Sequence, residues 1–453
     1  MAAVSFHLTV AVPAFNNADL LELTLESLTR QTLEPERFDV VVVDDGSEPS
    51  LAPVVQRLQA RFRLRYVRQA VNRGRAATRN RALEAATGDA VLFLDADSCA
   101  HPDLLARHWR FHADRQGSPA VLVGRRYEID WAGVDALKRG ETLAPPLIGE
   151  YRDDTRDGVL LPAHRRRDWV RAPWLYAFTH NVSVDVSSVV TVGGFDEQIV
   201  GWGCEDIDLF YRVFHLHDGR PEVFQLDEDA ICYHLPHFRL WPDLAGQMRD
   251  NHAYLQRKHP RLDMEVVNLM GSYAIAVKRI VWYGDAIGAA RSRGLANVRC
   301  LPDAYSKELV DEDCLVVGLG GAVVGPPGRV TFDHDAPLTE TNLHLIGLRT
   351  PFAPGRFRRV VNVDLWRFLA PEDLSTLIVE ALRIADRLDL IATAADVDPV
   401  TVLPLPFVGD IEYVHDMTRA HFPAELTHLD AVTVLTLREN VVEPTFEKSA
   451  RPA

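Results

Sequence analysis

The feature that most restricts how this chain can fold is a set of short segments that are apolar on both faces. "HLTVAVPAF" (7–15), "FDVVVV" (38–43) and "AVLFL" (90–94) carry hydrophobic side chains at successive positions. Neighbouring side chains of a strand point to opposite sides, so such runs need apolar cover above and below. Helical patterns supply that cover. "NADLLELTLESLTRQT" (17–32) places Leu21, Leu25 and Leu28 on one face, with Asn17 at the N-cap position, and 51–61 and 74–87 also read as helices. With a further strand at 64–67 and a helix from Pro102, the first third alternates strand and helix. The expected class is therefore α/β, a mostly parallel sheet covered by helices. Such sheets bind ligands outside the carboxyl ends of their strands.

The chain has 453 residues, more than one core usually supports, so two domains are expected. A net charge of −15 argues against a general nucleic-acid partner. No segment is long and apolar enough to span a bilayer, and the N-terminus lacks a basic and an apolar signal region. Five cysteines without a CxxC pair suit neither a disulfide framework nor a structural zinc site, which points to a reducing cytoplasm.

The strand ends carry the polar residues. Strand 38–43 delivers "DDGS" (44–47), and "AVLFL" delivers "DADS" (95–98). Asp, Gly and Ser are also ordinary turn formers, yet two such loops at one sheet edge suit a divalent cation that carries phosphate oxygens. A second block, "VGGFDEQIVGWGCEDIDLFYRV" (192–213), combines turn glycines, the aromatics Phe195 and Trp202, and the acidic pair Glu205 and Asp206 at the start of a helix. An amphipathic helix capped by acids would account for the helix but not for "GWG" before it. "AICYHLPHF" (230–238) adds His234 and His237 as candidate metal ligands.

"TVAVPAFNN", "VVVDDGS", "NRGRAATRN" and "FLDADS", in this order, resemble family 2 glycosyltransferases of the GT-A fold, which transfer a sugar from a nucleotide-diphosphate donor. The resemblance covers about 7–115. It implies that Pro13, Ala14, Phe15 and Asn16 line the nucleoside pocket, that Asp44 bonds uracil and that Asp45 supports its loop. Arg79 would contact base or diphosphate. Asp95 would bind ribose or a water-bridged metal, with Ala96 beside it, and Asp97 would ligate the metal directly. The 192–213 block resembles the catalytic segment shared by β-1,4-galactosyltransferases, bacterial chondroitin-type polymerases and polypeptide N-acetylgalactosaminyltransferases. In the inverting members the second acid of "GWGxED" is the base, here Asp206, next to Glu205. A metal-ligating histidine in the galactosyltransferase-like enzymes stands in a place similar to that of His234, which favours His234 over His237. Asn181, Trp202 and Gly203 would face sugar or acceptor, and imidazole among the ligands tilts the metal toward Mn²⁺ over Mg²⁺.

Residues 125–175 read as irregular, and "AHRRRDWVRAPW" (163–174) as either a solvated, mobile loop or an acceptor loop or lid in which arginines meet an anionic group and Trp169 and Trp174 stack on sugars. The expected division is a glycosyltransferase domain over 1–260, a helical connector over 261–300 and a C-terminal α/β accessory domain over 301–453. Strands at "CLVVGLGG", "RVTFDHD", "RRVVNVDL" and "LDLIATA" and a helix over 371–388 faintly resemble half of a class I methyltransferase, with "GLGG" (318–321) in the cofactor loop position. The connecting helices look short, which favours a noncatalytic appendage for acceptor binding or for a homodimer. The reading as a whole is a metal-dependent transferase using a UDP-sugar, inverting through Asp206, on a carbohydrate, lipid-linked, peptide or small-molecule acceptor. The rival readings are a retaining transferase, a nucleotide-sugar binder without transfer activity, and a nucleotidyltransferase, whose Gly- and Lys-containing N-terminal loop "PAFNN" does not match.

Overall fold

The apolar runs pair as expected. Strands β1 (Leu8–Ala14), β2 (Phe38–Asp44), β3 (Leu64–Arg68) and β4 (Ala90–Leu94) lie in the order β3-β2-β1-β4, all parallel. Val40, Val42, Leu92 and Leu94 are fully buried, each contributing about 1.5–3 kcal/mol by leaving water. This is a computed structural model; it describes residues 6–439 apart from 60, 116, 142, 144–169, 239, 270–272, 324, 325, 327, 394–409 and 430. The chain divides into two compact units, Met1–Leu255 and Gln256–Ala453.

The sheet of the first unit continues with β5 (Ser98–Ala100), β6 (Val121–Glu128), β7 (Asn181–Asp185) and β8 (Phe224–His234). The full order is β3-β2-β1-β4-β7-β6-β8-β5, with β7 antiparallel to both β4 and β6, and β5 antiparallel to β8. Register then decides what meets at the edge. Ser98 pairs with His234, and Glu128 on the parallel β6 pairs with the same His234. The "DADS" loop is thereby set beside the end of β8.

Segment 125–143 is more regular than the sequence suggests. Strand β6 runs to Glu128, and a helix spans Trp131–Lys138, its N-cap Asp130 accepting the Gly133 N–H at 2.8 Å. Most of the expected acceptor loop, including Trp169, lies outside the described residues, but Trp174 is buried and packs edge-on against Tyr211 at 4.9 Å. It belongs to the core and does not present a face to a sugar. The first helix runs Ala18–Leu28 and buries Leu21, Leu25 and Leu28; Asn17 holds the N-cap position without a side-chain capping bond.

In the second unit β9 (Cys314–Val317), β10 (Thr331–Phe332), β11 (Phe357–Val363), β12 (Ala385–Thr393), β13 (Ala424–Leu429) and β14 (Val432–Arg438) form a sheet in the order β10-β9-β11-β12-β14-β13. The first four are parallel and β14 is antiparallel to both neighbours. The helix expected to reach 388 ends at Ile384, because Ala385 turns extended and starts β12 directly. The "GLGG" loop is packed against residues 296–298. The Leu319 N–H donates to Ala296 at 2.7 Å, its carbonyl accepts from Val298, and a Cβ at Gly318 would meet the Val298 side chain at 2.7 Å. Asp364, after β11, accepts from the Ala296 N–H, which packs residues 296–298 at the carboxyl edge of this sheet. Helix Leu262–Leu269 belongs to this unit, and its fully buried Glu265 accepts the N–H groups of Ile346, Gly347, Leu348 and Arg349.

Candidate active site

At the carboxyl edge of the first sheet a cavity of about 1770 Å³ opens, lined by Pro13–Asn17, Asp45, Asn72, Gly74, Thr78, Arg79, Asp95–Asp97, Gly201, Trp202, His237 and Gln247, among others. Ligand atoms of Asp97 and His237, which line it, and of the buried His234 lie within 4.8 Å of one another. Asp97 Oδ2 is 3.4 Å from His237 Nδ1 and 3.7 Å from His234 Nε2, while the other His234 nitrogen meets Glu128 at 2.7 Å. Asp97 Oδ1 is buried without a hydrogen-bond partner among the described residues. Sequence reasoning found Asp97 and His234. It passed over His237, three residues on and past Pro236, and it had no signal for Glu128.

On the nucleotide side, Phe15 is 45% exposed and Asn16 takes a left-handed φ of 51°, a conformation Asn tolerates better than most residues. The Asn16 N–H donates to Ser47 Oγ at 2.9 Å, and its side-chain oxygen accepts the Glu48 N–H at 2.9 Å, which ties the first loop to "DDGS". The two aspartates of that loop do not stand as the resemblance implies. Asp44 is fully buried, accepts from the N–H groups of Ser47 and Leu51 and from the Tyr66 hydroxyl, and is absent from the cavity wall. It is the loop support. Asp45 lines the cavity and accepts from Gln69 and from the Arg73 and Gly74 N–H groups.

Asn181 also departs from its expected place. Its amide donates to the carbonyls of Arg125 and Ala230, its oxygen meets His108 at 3.0 Å, and it is fully buried. A Cβ at Gly124 would come 2.4 Å from the Asn181 amide, so the glycine makes room for this interior bridge. Asn181 stitches strands together and does not reach a sugar.

The helix Glu205–Leu216 begins right after "GWG". Two residues of the helix Trp241–Lys258 clamp that turn: Gln247 accepts the Trp202 N–H at 2.8 Å, and Asn251 donates to the carbonyls of Val200, Trp202 and Gly203. Gly201 has φ +82°, and a Cβ there would strike Gln247 at 2.5 Å. Trp202 and Gly201 reach the cavity wall, while Gly203, also at positive φ, serves the turn. Glu205 is buried and bound to Arg79 Nη1 at 2.7 Å; Arg79 Nη2 donates to Asp95 at 3.0 Å. Burial, together with the neighbouring Glu205, pushes the Asp206 carboxyl up to about 7, and Arg79 opposes that rise. Burial would also raise Asp95, but Arg79, Arg75, His234 and Arg126 hold it below the usual carboxylate range.

A GT-A-like mixed sheet, an aspartate–histidine cluster at its carboxyl edge and an acidic helix start bound to the cavity-lining Arg79 define a class: enzymes that move a sugar from a nucleotide-sugar donor. The profile described as Glycosyl transferase family 2 matches residues 9–166, and one described as N-terminal domain of galactosyltransferase matches 170–237. Two relatives named validoxylamine A glucosyltransferase, from Streptomyces hygroscopicus subsp. limoneus and subsp. jinggangensis (strain 5008), are each 33% identical over 387 residues. Those alignments span 78% of this chain and 83% and 89% of the relatives. Chondroitin synthase of Pasteurella multocida (strain Pm70) is 28% identical over 245 residues, 50% of this chain and 24% of that protein. The chain belongs to the family 2 glycosyltransferases and is a glycosyltransferase that uses a nucleotide-sugar donor. Among the described residues no helix is long and apolar enough to cross a membrane.

Proposed function

We propose that this enzyme transfers a sugar from a UDP-sugar to an acceptor hydroxyl with inversion, using a divalent metal ion and Asp206 as general base. One observation carries the reading: Asp97 and His237, which line the same cavity as Arg79, the partner of Glu205, converge with the buried His234.

The donor set suits a metal. Two imidazoles and one carboxylate favour Mn²⁺ over Mg²⁺, and a cation would satisfy the buried Asp97 Oδ1. A bound cation supplies Lewis-acid stabilisation to the departing diphosphate. The protein's own groups do the rest. Pro13, Ala14, Phe15, Asn16 and Asp45 border the nucleoside, and Trp202 offers a ring to the sugar or acceptor. The transfer is a single displacement. The bond between anomeric carbon and phosphate oxygen breaks, its electron pair leaves with UDP, and the acceptor oxygen bonds the carbon from the opposite face. The acceptor proton passes to Asp206, whose elevated affinity for protons matches that task near neutral pH. The unit from Gln256 onward acts in this reading as an accessory domain. The relatives named as glucosyltransferases make UDP-glucose the first donor to test.

Titration calorimetry of UDP with and without Mn²⁺ is the test. Binding that requires Mn²⁺ and is lost in Asp97→Ala supports the reading; equal affinity in both conditions removes the metal from it.

A further inference from the structure

We propose that Arg79 is a positioning residue: together with Asn80 it docks the catalytic segment 192–213 onto the donor half of the site and thereby fixes Asp206 relative to the leaving group. The proposal rests on the reading of Asp206 as the base.

The two residues are adjacent on the helix Arg75–Ala85 and grip different parts of the distant segment. Arg79 is 2% exposed, and its guanidinium bridges Glu205 at 2.7 Å and Asp95 at 3.0 Å. One planar fork therefore spans the first turn of the catalytic helix and the nucleotide loop, a geometry that the single point of a lysine ammonium cannot reproduce. Asn80 exchanges two hydrogen bonds with the backbone of Phe195, donating at 2.9 Å and accepting at 2.8 Å. Gly194 permits this approach, since a Cβ there would lie 2.6 Å from the Asn80 side-chain oxygen. The Phe195 ring lies 5.7 Å from the guanidinium and is met edge-on by Phe93 of β4. A third tie, Arg73 to Glu197 at 3.1 Å, joins the same two stretches.

Both terminal nitrogens of Arg79 are held by carboxylates, which is the arrangement of a strut and not of a free diphosphate ligand. Its charge has a second effect. Asp206 has Glu205 and the Cys204 thiol beside it on its own element, and Arg79 is a cation that favours its ionised form. Removing that charge should make Asp206 harder to deprotonate.

The test follows UDP release from UDP-glucose, with water as acceptor, as a function of pH, alongside calorimetry of UDP with Mn²⁺. Arg79→Lys should lower kcat by roughly 10–100-fold, the cost of a displaced reacting group, with little change in UDP affinity and the acid limb unmoved. Arg79→Met should in addition shift the acid limb to higher pH. If Arg79→Met does not fold, Arg79→Lys decides alone. Wild-type kcat in Arg79→Lys, or a loss of UDP affinity with kcat retained, overturns the proposal, the latter making Arg79 a donor ligand. Asp206→Asn measured in parallel separates the two levels. Turnover retained there removes the base itself and this proposal with it; turnover lost there, with Arg79→Lys unimpaired, removes the strut alone.

Discussion

His234 and Glu128 meet with 2.7 Å between the imidazole Nδ1 and a carboxylate oxygen. The pairing selects one tautomer: with the proton on Nδ1 and donated to Glu128, the lone pair is on Nε2, on the side of Asp97, 3.7 Å away. Glu128 is itself held by Arg126 at 2.7 Å. Strand register alone brings these groups together, since Glu128 and Ser98 are both opposite His234.

A carboxylate behind a ligating histidine raises its basicity and fixes its ring, and losing it typically weakens metal binding 10–100-fold. Glu128→Gln should therefore lower Mn²⁺ affinity by about that factor in the presence of UDP, while His234→Ala and Asp97→Ala should reduce it further. Titration of Mn²⁺ into each variant, followed by electron paramagnetic resonance of the free ion, reads this directly. Unchanged affinity in all three would place the metal elsewhere.

Asn251 donates to three carbonyls of the "GWG" turn, at 3.1, 3.3 and 3.0 Å. Asn251→Ala leaves those oxygens without that donor in a turn that is half-buried at Gly201–Gly203 and exposed at Val200. A loss of about 0.5–1.5 kcal/mol is expected. Thermal unfolding should show it as a Tm lower by a few degrees, and transfer should fall with it because Trp202 loses its mooring. An unaltered Tm would mean that the turn holds itself.

Much of this was legible in the sequence. Runs such as "FDVVVV" admit little besides a doubly covered strand, and two acidic loops after such strands must share an edge. What could not be read depends on strand side and register. Asp44 and Asp45 are neighbours, and adjacent residues of an extended chain face opposite ways, so the motif does not tell which one meets the cavity. Asn181 looks like a site residue until Gly124, on another strand, is seen to leave space for it. Gln247 and Asn251 carry no motif, because a side chain that clamps a turn needs only reach and a polar end.

Activity should follow the ionisation of Asp206. Its carboxyl is pushed from 3.8 up to about 7 by burial and by Glu205, so turnover should rise with pH along an acid limb centred near 7. The same shift has a sign for stability. The folded state holds this proton more tightly than the unfolded state, so the contribution is present at low pH and is lost as pH climbs between the two values. A pH–rate profile under saturating donor should show the limb, and Asp206→Asn should lack it. A flat profile from acid to neutral pH would contradict the assignment.

The stereochemical outcome follows from the single displacement. An α-linked donor such as UDP-glucose should give a β-linked product, read from the anomeric coupling constant by proton NMR. An α-linked product would exclude inversion.

The most direct test of the central claim is turnover by Asp206→Asn compared with its UDP affinity. The substitution keeps shape and removes the proton acceptor, and loss of general-base assistance costs on the order of 10²–10⁴ in rate. A fall of that size in kcat, with UDP affinity in Mn²⁺ unchanged, is the predicted result, the pattern of an interaction made only in the transition state. Near-wild-type kcat in Asp206→Asn would contradict it.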